Sequence, residues 1–321
     1  MFSLTENTMG VVKEILANPE AIGCEVKKLD CGATVVDMGI HCKGSWKAAV
    51  LFTRATMGDL GMVSLGEFKL NDEFTFSSIE MFIDQPMIAC VGAEMADWRL
   101  GNGEYATIGS GPARAQAAVD SDYYIHCTPY RDGYRDAAVI CLQDVRYPSE
   151  ELALEIANAC HVAPENTYIL VSNSTCIAAS MQVSARIIEQ TCNKLFRSGI
   201  MTPEQIVMAR GNAPIAPIVT DENKTMGRIN DALIYGSTVE LWVDSDDETI
   251  EKVAPTLVAK YSSPLYGIPF EKIFVDAGCN FFNIPLDVHS IGRVMIHNIN
   301  TGKAISCGEI NYEVLEKSFL N

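Results

Sequence analysis

Between Asn173 and Gly199 the positions Ile177, Met181, Ser184, Ile188, Cys192 and Leu195 recur at steps of three or four, with Val183 and Ile187 on their flank. That spacing is one stripe of a helix. Asn173, Ser174 and Thr175 supply candidate N-caps, and Gly199 supplies a stop. A second stripe at similar spacing is polar: Gln182, Arg186, Glu189 and Asn193. Arg186 and Glu189 are i,i+3 neighbours and reach the same patch of space. Two readings follow. In one the polar stripe is a solvated face with an ion pair worth a few tenths of a kcal/mol. In the other a largely buried helix presents four polar side chains into a cleft, and a guanidinium keeps the carboxylate ionised and aimed.

Around that helix the pattern alternates between the periods of helix and strand. Residues 5–18 read as an amphipathic helix, and 24–40 as two strands joined at Asp30-Cys31-Gly32. A small-residue helix at Trp46–Thr56 precedes strand-like runs at Gly61–Lys69 and Phe74–Asp84. Asp84-Gln85-Pro86 breaks the second run, with Pro86 early in the next helix, so Asp84 is an N-cap or a polar group for a bound ring. From Glu104 come a strand, the turn Gly109-Ser110-Gly111 and a helix opened by Pro112 and Arg114. Amides ahead of a helix N-terminus suit an anion, and the same glycines suit a tight turn with positive φ. The spacing matches neither dinucleotide nor Walker fingerprints.

Residues 137–172 read strand, helix, strand, a βαβ unit that feeds the central helix. Ser172 and Asn173 then fall at the carboxyl end of a strand, where such sheets collect ligands. Further on come a strand at 205–210, a proline-bearing edge or loop (NAPIAPIV), a helix at 222–235, a strand at 238–244 and a helix at 248–260. A hairpin turning at Asn300-Thr301-Gly302 and a C-terminal helix close the chain. The alternation implies a mixed α/β fold of two intimately joined α/β domains with a cleft between them. The division is expected at 1–195, including the central helix, and 196–321, with strands from both termini able to pair.

Composition narrows the function classes. With 24 Lys and Arg against 41 Asp and Glu the net charge is −17, and no basic patch interrupts it, which speaks against nucleic acid as a partner. No apolar run approaches the ~20 residues of a membrane span, and the N-terminus lacks the basic start of a signal peptide. The expectation is a soluble protein of the cytoplasm with no membrane partner. The eleven cysteines are then thiols. There is no CxxC and no HxxxH. The neighbours His41–Cys42, His126–Cys127 and Cys160–His161 point to opposite faces if they lie on strands, so no metal site is expected.

SARIIE at 184–189, GSGPARA at 109–115, APIAP at 213–217 and TGKAISCGEIN at 301–311 resemble, in order and across essentially the whole chain, the methenyltetrahydromethanopterin cyclohydrolases. The resemblance implies a pterin one-carbon carrier as substrate, its methenyl carbon bridging two nitrogens as a cation. It places catalysis on Glu189 and Arg186, with Glu189 orienting water and Arg186 holding the carboxylate. Substrate contacts are expected at Asp84, Gly109, Ser110, Gly111, Arg114, Gln182 and Arg228; the resemblance implies an acidic tail on the carrier, and Arg114 and Arg228 are assigned to it on residue type and position alone. The resemblance further implies no permanently bound cofactor and a homo-oligomer, a trimer. The chain has IDQP and GNAPIAP where the family pattern is expected to read TDHP and GTAPIAP, which puts in doubt any role for a histidine at Gln85. Two other functions compete: a thiol-dependent amidohydrolase and a non-catalytic pterin-binding protein.

Overall fold

A computed structural model of the chain describes residues 2–102, 106–119 and 128–321. The start of the strand expected from Glu104, and the pair His126–Cys127, lie outside the described residues. The protein is a mixed α/β fold of two compact units, each built on its own six-stranded sheet. One unit comprises Met1–Met62 and Ile88–Gln182, the other Val63–Met87 and Val183–Asn321. The division therefore falls at Gln182–Val183 and not at 195, and the 63–87 segment sits with the C-terminal half. Pairing decides this, because strand partners far apart in sequence leave no local signal.

In the first unit the chain supplies α1 (Leu4–Ala17), β1 (Glu25–Lys28), β2 (Thr34–Asp37) and α2 (Trp46–Thr56). The second unit receives most of β3 (Gly61–Lys69) and all of β4 (Thr75–Ile83). Back in the first unit follow all but the first residue of a π-helix (Met87–Glu94), β5 (Trp98–Leu100), β6 (Thr107–Ser110), α3 (Ala113–Ala117), β7 (Ala138–Gln143), α4 (Glu150–Cys160), β8 (Thr167–Ser172) and most of α5 (Ile177–Ala185), whose last three residues count with the second unit. The sheet order is β1-β2-β8-β7-β6-β5, with β2, β8 and β7 parallel. The expected βαβ unit is β7–α4–β8, in register from Ala138 opposite Thr167 to Gln143 opposite Ser172. Val35, Ile140 and Ile169 pack with Ala153, Ile156 and Cys160 of α4 in one core, so the strands read as near-continuous apolar runs.

The second unit continues with α6 (Ile187–Ser198), β9 (Ile206–Pro214), α7 (Glu222–Gly236), β10 (Thr238–Val243), α8 (Asp247–Leu257), α9 (Ala259–Ser262), α10 (Phe270–Asp276), β11 (Arg293–Asn298), β12 (Ala304–Gly308) and α11 (Tyr312–Leu320). Its sheet runs β12-β11-β10-β9-β4-β3. Strand-bearing segments of the two termini do not pair: β1 and β2 sit in one sheet, β11 and β12 in the other. Val239, Leu241, Val294 and Ile296 are wholly buried while their neighbours along the strands are partly exposed, the alternation of a sheet covered on one face. The proline run is a loop, as expected, only over residues 215–219; its first three residues, Asn212, Ala213 and Pro214, belong to β9, a central strand that extends to Pro214. Pro214 is the last residue of that strand, where its missing N–H costs no interior ladder bond.

Candidate functional site

The helix expected from 173 to 199 is two helices. Asn173 opens a turn, its Oδ1 accepting the Thr175 N–H at 3.0 Å, and α5 begins only at Ile177. The helix then breaks at Arg186, whose ψ is 16° and whose N–H donates to Val183 O, three residues back, at 3.1 Å. From Ile187 the α-helix resumes, and it ends as expected at Gly199, where φ is 63°. The seat of α6 explains the glycine beneath it: a Cβ on Gly211 of β9 would come within 3.2 Å of the Ile187 side chain. Ile187 and Ile188 are wholly buried there.

This places Arg186 at the break and Glu189 in the first turn of α6, their side chains joined at 3.4 Å and exposed by only 11% and 7%. The solvated-face reading fails on those numbers, because a surface pair would be mostly in water. A partly desolvated ion pair is stronger than a surface one and holds both groups in one geometry. Glu189 lies in the first turn of α6, where the helix dipole favours a carboxylate. Gln182, the last residue of the first unit, is buried, and its Nε2 donates to Gln143 Oε1 at 3.0 Å. Gln143 ends β7 and was not singled out from sequence; its place at the carboxyl end of a parallel strand is the signal that could have found it.

The other expected site residues are placed differently. Asp84 is exposed just beyond β4, in the second unit. Gly109 and Ser110 are strand residues, facing Leu142 and Cys141 of β7, and the Gly111 N–H donates to Ala93 O at 2.7 Å. Gly111 has φ 98°, so the tight-turn requirement is real. The anion cradle is not: one of its three amides is spent on Ala93, all three residues are buried, and α3 behind them has only five residues. Arg114 is wholly buried, its guanidinium donating to Val91 O at 2.9 Å and paired with the Asp97 carboxylate. It is not disposed to meet a substrate's tail.

Arg228 is likewise structural. It is 7% exposed, and its Nε donates to Ser318 O of α11 at 2.8 Å, with a second contact to Pro217 O at 3.3 Å. Burial lowers its pKa below the usual arginine value. One turn on, Asp231 is wholly buried and its Oδ1 accepts the Phe270 N–H at 2.8 Å, capping α10 from a neighbouring helix. Burial pushes this carboxyl up to about 7, against the pull of the Ser318 hydroxyl and the Phe270 amide. A carboxyl raised in the folded state stabilises fully below its unfolded pKa, and that contribution is lost as pH rises through about 7. Asp231→Asn keeps the acceptor for Phe270 without the charge. It should therefore flatten this part of the stability curve and be the more stable protein at pH 8, as read from urea melts at pH 5 and 8; equal pH dependence in both proteins would refute the assignment.

Burial also pushes the thiols of Cys24, Cys42 and Cys160 up to about 12, which leaves little thiolate at neutral pH. Among the described residues no three His, Cys, Asp or Glu side chains are grouped to hold a metal ion, and no helix is long and apolar enough to cross a membrane.

The family model described as Cyclohydrolase (MCH) matches residues 3–319. The chain is 34% identical over 323 residues to the methenyltetrahydromethanopterin cyclohydrolase of Methanocaldococcus jannaschii, covering 99% of this chain and 98% of that one. It is similar to the proteins of the same description from Methanococcoides burtonii (33%, covering 99% and 98%) and Methanothermobacter marburgensis (32%, covering 99% of each).

Proposed function

The chain belongs to the cyclohydrolase (MCH) family, and on that premise we propose that it hydrolyses the cationic methenyl bridge of methenyltetrahydromethanopterin, reversibly, to the N5-formyl form. The observation that carries the reading is the buried Arg186–Glu189 pair at the start of α6, in a chain that matches the family almost end to end. Water adds to the methenyl carbon, the bond from that carbon to the second nitrogen breaks, and the carbon stays on N5 as a formyl group while one proton leaves. Glu189 orients the water and takes that proton, a contribution of about 10²–10⁴ in rate. An anionic carboxylate beside a cationic substrate also favours the proton's loss from water. Arg186 fixes the carboxylate's direction.

The electrophile carries its own positive charge, so the chemistry asks for no Lewis acid, and the substrate is itself the one-carbon carrier. Turnover should therefore survive exhaustive dialysis against EDTA, checked by metal analysis of the dialysed protein; activity restored only by zinc would sink this part. The direct test of the function is the loss of methenyl absorbance on adding enzyme. Binding without turnover would favour a non-catalytic carrier protein. Inactivation by iodoacetamide, prevented by substrate, would favour a thiol nucleophile, a role for which the thiols of Cys24, Cys42 and Cys160, pushed up to about 12, are poor.

A further inference from the structure

The break at Arg186 leaves the helix Ile187–Ser198 without a continuous backbone ladder to the helix before it. Side-chain contacts must then set where that helix, and Glu189 with it, lies. At its first turn Ile187 and Ile188 rest on Gly211. At its far end the contacts are polar, and the lysine among them is deeply buried although the Asp287 side chain that it approaches is 58% exposed. Lys194 is 5% exposed, between the buried Cys192 and Leu195. Its Nζ donates to Ser262 Oγ at 3.2 Å and to Asp287 O at 3.1 Å, and lies 3.9 Å from Asp287 Oδ1. One turn on, Arg197 donates to Leu286 O at 2.9 Å and meets Asp287 Oδ1 at 3.3 Å. Two cations three residues apart thus grip a single turn, Leu286–Val288. An ammonium on the apolar flank of a helix is costly, and an apolar residue would pack there at less expense.

We propose that Lys194 is a positioning residue for the reaction, fixing the axial seat and roll of the helix that carries Glu189. This rests on the function proposed above. Five residues separate the two, about 7.5 Å along a rigid helix, so a slip at the anchor is passed to the carboxylate. A misplacement of about 1 Å can cost 10²-fold in rate.

The charge of the anchor titrates in an accessible range. Burial pulls the lysine down to about 8, with Arg197 adding to the effect and Asp287 opposing it. His289, from the turn beyond Asp287, is pulled down to about 4 by burial and both cations, and is neutral throughout. The short helix Ala259–Ser262 contributes the Ser262 hydroxyl, and its Lys260 is paired with Glu309 at 2.8 Å. As pH rises through about 8 the ammonium loses its proton and its attraction to Asp287. Stability moves the other way. A lysine lowered from 10.5 to about 8 carries its burial penalty in full below 8, and sheds it as pH rises from there to 10.5. Activity and stability should therefore diverge above pH 8, which a purely structural lysine would not produce.

The test compares wild type, Lys194→Met, Lys194→Arg and Glu189→Gln by kcat, KM and Tm from pH 6.5 to 10. Lys194→Met should lose about 10- to 100-fold in kcat with KM within about threefold, keep or raise its Tm at pH 7, and show no alkaline fall of its own near pH 8. Lys194→Arg should keep most of kcat and move that fall to higher pH. Wild-type kcat in Lys194→Met, or an alkaline limb unchanged in Lys194→Arg, overturns the proposal; the second comparison decides it if the methionine variant does not fold. A wild-type protein without turnover, or a fully active Glu189→Gln, removes the reaction reading itself and this inference with it. An active wild type with an indifferent Lys194→Met removes the inference alone.

Discussion

Glu189→Gln is expected to lower kcat by about two to four orders of magnitude while the protein folds as before. The amide is close to isosteric with the carboxylate and leaves an oxygen for the Arg186 guanidinium, 3.4 Å away, so the first turn of α6 keeps its packing. What disappears is a group basic enough to take the proton that water sheds as it attacks. Because that demand arises only in the transition state, kcat and kcat/KM should fall together with KM little changed. Glu189→Asp should also be slow, since withdrawing the carboxylate by one methylene spoils its reach while keeping its charge. Far-UV circular dichroism and melting curves on the same preparations check that folding is intact. Near wild-type turnover in a folded Glu189→Gln would mean that the buried pair is structural and that the base lies elsewhere.

The sequence made the local elements readable where a single period ran cleanly. The β7–α4–β8 unit, the hairpin around Gly302 and the stop at Gly199 follow from spacing and turn residues. The Arg186–Glu189 pair was visible as an i,i+3 spacing, and the resemblance supplied its role. The break at Arg186 was not visible, because the apolar stripe runs on through Ile187 and Ile188 while one ψ angle changes. Nor was the passage of β3 and β4 into the second sheet, since alternating strands do not name their partners. Lys194 stood in plain view on the apolar flank between Cys192 and Leu195, an oddity that pattern reading passes over as a snorkelling surface side chain. Charge was the weakest guide. Residue type reports that an arginine is present, and only burial reports whether the fold has already used it.

Arg114 is where that distinction has the largest expected effect on stability. Its position after a glycine turn suggests contact with an anionic substrate tail, in which case removing it would raise KM and leave the fold alone. The structure instead buries the whole side chain against Val91 O and the Asp97 carboxylate. Removing one member of a buried pair strands the other, at a cost of about 3–5 kcal/mol. Arg114→Met should therefore lose most of its effect through stability: a large drop in the urea midpoint, and near-normal KM for whatever folded protein remains at low temperature. A second substitution separates charge from packing. With Asp97→Asn added, the stranded carboxylate is gone, so the double variant should be more stable than Arg114→Met alone, a coupling that independent sites would not show. Asp97 keeps 16% of its side chain in solvent, which sets the gain below that of a fully enclosed pair. A KM raised tenfold in Arg114→Met with an unchanged urea midpoint would return Arg114 to the substrate and make its buried pairing incidental.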